Sequence, residues 1–119
     1  MKQLILFVLL IFSIGLNAQC LKYDTDVGED CGNPHSMEVN VKNNCSSKKY
    51  VVALCFDENR RVYRLLSNYV ESGKKISNWT CECYNVKVKY WDHNLNDEYA
   101  AYRAGQEYLK KCKVNNRIY

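Results

Sequence analysis

The chain has 119 residues, of which 25% are charged, and a net charge of +4. That length suits one domain and no more, and so mild a basic surplus argues against a nucleic-acid-binding protein. Ten tyrosines against one proline supply large, stiff, amphipathic surface that serves half-buried strands and binding faces alike.

In chain order, residues 1–18 read as an export signal. Lys2 precedes an apolar run from Leu4 to Leu16, and the small Ala18 closes it. The run is too short for a membrane span of about 20 residues. Cleavage after Ala18 would leave Gln19 at the new N-terminus. A bacterial lipoprotein signal wants a small residue just before its cysteine, and Gln19 precedes Cys20, which argues against a lipid anchor there. No second apolar segment follows, so the sequence predicts no membrane span and a secreted or periplasmic protein.

All seven cysteines lie beyond the signal. In an exported chain this density reads as a disulfide framework. The expected bonded set is Cys31, Cys45, Cys55, Cys81, Cys83 and Cys112, with the terminal Cys20 left over and the pairing open. Cys81 and Cys83, two apart in an extended strand, are expected on one face with different partners. A C-x-C pair and two distant histidines do not fit zinc spacing, so neither a metal nor a cofactor is predicted.

Residues 19–36 read as an irregular, cysteine-containing lead-in. Oxygens alternate from Asp24 to Asp30, but the glycine and the twelfth position do not match an EF-hand loop, which leaves a solvated acidic loop. Residues 37–119 read as a single β-rich domain. Met37 to Val41 alternates as a half-exposed strand. Tyr50 to Phe56 is apolar on both faces, which predicts a central strand. Arg61 to Val70, Ile76 to Cys83 and Val86 to Trp91 follow, with polar turns between them. Inward parity switches from odd positions before Cys83 to even ones after Val86, so Tyr84-Asn85 must be a turn or bulge. A helix is predicted over about 95–112, capped by Asn94 or Asn96. Its inward stripe would be Leu95, Tyr99, Tyr102, Leu109 and Cys112, with Cys112 stapling it to the sheet and Gly105 allowing close approach. The expected fold is therefore mainly β: a small disulfide-stapled antiparallel sheet or sandwich of about five strands with one C-terminal helix.

The run Val41-Lys42-Asn43-Asn44-Cys45, then Tyr50 to Leu54, then Val70-Glu71-Ser72-Gly73 and Trp79, resembles the opening strands of thaumatin-like domains. The resemblance covers residues 39–79 and implies a β-sandwich; some members of that family bind glucans. The family's acidic cleft residues have no counterpart here, so no functional residue carries over.

Chemistry is thinly marked. His35 and His93 are the only histidines, and a two-histidine acid–base pair is the one catalytic set the sequence offers; nothing in their spacing supports it. Arg64, Lys87 and Lys89, with Tyr63 and Tyr69 nearby, are the candidate ligand-binding residues of a sheet face. The leading reading is a secreted, non-enzymatic binding module for a glycan or a protein. The alternatives are a small secreted hydrolase, such as a nuclease using His35 and His93, and a secreted inhibitor or toxin-like effector.

Overall fold

The structure is a computed structural model and describes residues 20–28, 31 and 35–119. The predicted signal peptide, its cleavage point and part of the acidic lead-in lie outside these residues. Six strands and one helix are present: β1 (Leu21–Val27), β2 (Met37–Asn43), β3 (Lys49–Phe56), β4 (Val62–Val70), β5 (Lys75–Thr80), β6 (Lys87–Asp92) and α1 (Ala100–Asn115). They form two three-stranded sheets, ordered β1–β2–β5 and β4–β3–β6, and every pairing is antiparallel. The mainly β architecture with a C-terminal helix is as the sequence predicts, with one strand more.

Three layers result: sheet, sheet and helix. Val39 and Val41 of the first sheet pack on Val51, Ala53, Cys55, Leu65 and Val70 of the second. On the far side of that second sheet, Tyr50, Val52 and Leu54 pack on Ala101, Tyr108, Leu109 and Cys112 of α1. β3 lies between the two interfaces, and for that reason its successive side chains are apolar on both faces.

Two irregularities in the alternation have structural causes. In the β3–β4 ladder Ala53 faces Leu66 while Leu54 faces Arg64, so Leu65 is a bulged residue. Its carbonyl, out of the ladder, accepts the Asn78 side-chain amide at 2.6 Å from β5 of the other sheet. The parity switch at Tyr84-Asn85 lies in the link over 81–86, where the chain leaves β5 in one sheet and enters β6 in the other.

Three expectations are corrected. The lead-in is not wholly irregular. Leu21–Val27 forms the edge strand β1, paired along its length with β2, and Asp24 and Asp26 both accept from the Asn40 amide. Its high charge reads as loop, but charge is what an exposed edge strand tolerates. The odd cysteine is Cys112, not Cys20. The disulfides are Cys20–Cys45, Cys31–Cys81 and Cys55–Cys83, and Cys112 is a buried free thiol. The predicted loss of pairing at the terminal cysteine fails because β1 carries Cys20 back beside the β2–β3 link. Cys81 and Cys83 do take different partners, but they lie beyond the end of β5, with Cys83 buried and Cys81 exposed.

The helix starts later than predicted, and its inward stripe includes Leu109 and Cys112 as expected but differs toward the N-terminal end. Ala101, Gly105, Tyr108, Leu109 and Cys112 are buried, whereas Leu95, Tyr99 and Tyr102 are 92, 61 and 46% exposed. Small residues make the closest contact: a Cβ at Gly105 would overlap the Tyr50 ring. Asn94 caps a turn rather than the helix, its side chain accepting from the Asn96 N–H at 2.9 Å. At the other end Asn116 is left-handed and closes the helix on the carbonyls of Cys112 and Lys113.

Candidate functional site

Where β3 begins, β6 ends and α1 begins, six residues line a cavity of about 340 Å³: Lys48, Tyr69, His93, Glu98, Tyr99 and Tyr102. The ladder builds its floor. Tyr50 pairs with Tyr69 on one side and Trp91 on the other, so these rings share the helix-facing side of the sheet. Tyr50 meets Tyr69 and Tyr102 edge-on, with ring centres 4.9 and 5.5 Å apart, an arrangement in which ring edges meet ring faces favourably. Hydrogen bonds from Gln106, at 2.8 Å, and with Ser67 hold the Tyr50 hydroxyl.

The polar groups are fixed in the same way. The Tyr69 hydroxyl donates to the Glu98 carbonyl at 3.0 Å, tying β4 to the segment that leads into α1. The Lys48 ammonium lies 4.9 Å from the Tyr69 ring centre, within reach of a cation–π attraction, and 3.6 Å from the Glu71 carboxylate. His93 is anchored by its N–H to the Lys48 carbonyl at 3.1 Å. Its ring meets Tyr69 edge-on at 6.0 Å, and its Nδ1 is buried with no hydrogen-bond partner. Such an orphan costs about 1–3 kcal/mol and folded proteins carry few of them. The cavity thus combines part-exposed aromatic faces with an ammonium group at its rim.

Of the ligand-binding residues expected from sequence, only Tyr69 lines this cavity. Arg64 and Lys87 pair with Leu54 from either side, and Lys89 pairs with Val52. They therefore share the helix-facing side, but α1 runs between Arg64 and the two lysines. Lys89 instead covers the Tyr108 ring at 4.7 Å. Tyr63 points the opposite way, between the sheets. Its hydroxyl donates to the Glu82 carbonyl and lies 3.1 Å from the Thr80 hydroxyl, and burial raises its pKa. These five residues do not make one surface. Tyr69 shares a face with Arg64 only because the bulge at Leu65 shifts parity by one.

His35 and His93 are not brought together either. His93 sits beside Lys48 at the start of β3. His35 stacks on Tyr84 at 3.9 Å, and Tyr84 is hydrogen-bonded to Phe56 at the strand's end. The eight residues of β3 separate them by roughly 20 Å, so they cannot act as a pair. Sequence reasoning gave no role to Lys48, between two strands, or to Glu98, in the first turn of the predicted helix, and placed Tyr99 and Tyr102 in the core. The available signal was an excess of tyrosines over what one helix stripe can bury.

Compared with known proteins, the chain matches no family model, no curated protein and no solved structure.

Proposed function

We propose that the protein is a secreted, non-enzymatic binding module whose aromatic cavity takes a sugar ring of a glycan. The observation that carries this reading is the grouping of Tyr69, Tyr99 and Tyr102 around one open cavity, with Lys48 at its rim. A pyranose presents an apolar C–H face and a ring of hydroxyls. Exposed phenol rings match the first, and phenol hydroxyls with an ammonium group match the second. Gly105 and the Tyr50 hydrogen bonds fix the helix against the sheet, so the rings stand pre-arranged rather than ordering on binding. The resemblance to thaumatin-like domains, some of which bind glucans, points the same way.

Three disulfides support folding in an oxidising compartment, and among the described residues no helix is long and apolar enough to cross a membrane. Export by the segment 1–18 belongs to the same proposal. Intact-mass spectrometry of protein recovered outside the cell would show a chain starting at Gln19; a retained Met1 segment would refute it.

A glycan array probed with the disulfide-bonded protein tests the ligand. Binding to a restricted set of glycans should fall at least tenfold, roughly, in Tyr99→Ala or Tyr102→Ala, with the melting temperature little changed because both rings are exposed. An empty array, or binding indifferent to both substitutions, would end the glycan reading in favour of a protein partner.

A further inference from the structure

We propose that the outer face of the β1–β2–β5 sheet carries a second binding site, in which Lys22, Lys42 and Lys75 take a compact tetrahedral oxyanion, a phosphate or sulfate ester. The three lysines lie in one row. Lys22 is directly opposite Lys42 in the β1–β2 ladder, and Lys42 is directly opposite Lys75 in the β2–β5 ladder. Directly opposed residues point to the same side, and their Cβ atoms are about 5 Å apart. Parity turns this row away from buried Val39 and Val41, toward solvent. With Asp24, Asn40 and Asn44 among the other lining residues, the three lysines border a cavity of about 320 Å³.

Among the described residues no ion pair compensates their charge. The ion pairs among the described residues use Lys48, Lys49 and Arg103, and none uses Lys22, Lys42 or Lys75. Asp24, one row along on the same face, is taken by the Asn40 amide at 3.0 Å. Asn40 also holds Asp26 at 3.3 Å and accepts from the Ser77 hydroxyl at 2.6 Å. The middle row Asp24–Asn40–Ser77 is thus closed on itself and does not reach back to the lysines. Three like charges set side by side repel one another, and a bound anion removes that repulsion.

The end of the sheet that carries them is also rigid. The Cys20–Cys45 disulfide ties β1 to the β2–β3 link. The Asn43 N–H donates to the Lys74 carbonyl at 2.9 Å, and the Gly73 N–H donates to the Asn43 carbonyl at 2.7 Å. The stems of the three lysines therefore start from fixed positions.

The surroundings set the size of the ligand. A long polyanion laid along the strands would run from the lysine row onto Asp24, then Asp26 and Glu38. One crossing the strands meets only three cations. A single multiply charged group with oxygens on several sides fits, because each ammonium can donate to a different oxygen. Such a group occurs on soluble phosphorylated or sulfated sugars and on lipid headgroups.

Titration of the isotope-labelled, disulfide-bonded protein with inorganic phosphate and with sulfate, followed by amide NMR, tests the site. Saturable displacement of the Lys22, Lys42 and Lys75 resonances is expected. Lys42→Gln and Lys75→Gln should each weaken the response about tenfold, and Lys87→Gln on the other sheet should leave it intact. Cosedimentation with phosphatidylcholine vesicles containing phosphatidylinositol 4-phosphate, lost in Lys42→Gln, would assign the headgroup source; free-phosphate binding without cosedimentation would assign a soluble ester. No saturable response, a response unchanged in Lys42→Gln, or retention on single-stranded DNA without any phosphate response would overturn the proposal.

Discussion

Asn116 shows how much one side chain can hold. Its left-handed backbone ends α1, its Oδ1 accepts the Val62 N–H at 2.8 Å, and its Nδ2 donates to the Arg60 carbonyl at 2.9 Å. It thus fastens the helix end to the β3–β4 turn, where Arg60 is itself left-handed at φ 59°. Asn116→Ala removes both bonds and leaves the Val62 N–H in need of a partner, so we expect a loss of about 2 kcal/mol, read from the denaturant midpoint. Tyr108 makes a second residue-scale prediction. Burial first, and the neighbouring Cys112 thiol second, push its phenol up to about 12. The neutral form is the one the fold favours. Its contribution is therefore whole below the ordinary tyrosine value of about 10 and is lost as the pH rises from there through the raised value. Ultraviolet titration should show one tyrosine ionising near 12, and Cys112→Ala should bring it down; a tyrosine set titrating uniformly near 10 would contradict this. Nothing in the sequence announces Asn116, because it acts through partners 54 and 56 residues away along the chain.

The elements differ in how plainly the sequence shows them. β3 was legible because the run from Tyr50 to Phe56, apolar on both faces, has few places to go except between two layers. The break before β6 was legible from parity alone, although its cause, a change of sheet, was not. β1 was hidden by its charges, which sit on the solvent side of an edge strand. The N-terminal part of the helix stripe was misplaced, while Leu109 and Cys112 were not, because tyrosine looks more like core than alanine and glycine do. At the interface the reverse holds: Ala101 and Gly105 are buried so that α1 can approach Tyr50. Gly105→Ala gains helix propensity worth about 1 kcal/mol but must displace a ring held by two hydrogen bonds. Overpacking of that kind costs about 1–3 kcal/mol, so the net change in thermal unfolding should be destabilising, and a raised melting temperature would contradict the packing described.

At the scale of the molecule, the candidate cavity is made where the second sheet and the helix meet at one end, and for that reason the sequence did not show it. Lys48, Tyr69, His93 and Tyr102 come from four separate stretches, and no periodicity links them. The disulfides follow the same logic, with Cys20–Cys45 and Cys55–Cys83 spanning 25 and 28 residues. Cys20→Ala should cost about 3 kcal/mol by releasing such a loop, whereas Cys112→Ala, which breaks no bond, should cost about 1 kcal/mol. Calorimetry of the two variants reverses the order expected from a terminal odd cysteine.

The buried thiol has a consequence beyond its packing. A free thiolate attacks disulfides, and the Cys112 sulfur is kept from the three native bridges only while α1, which carries it, is seated on the sheet. Docking of the last element is therefore also the step that makes the bridge pattern permanent. A chain whose helix lifts often would reshuffle its own cross-links and couple to neighbouring molecules. The rate at which a thiol reagent labels Cys112 reads out that lifting directly, and Gly105→Ala should accelerate it along with the appearance of covalent dimers on non-reducing gels. If labelling stays slow while dimers accumulate, the reshuffling starts elsewhere.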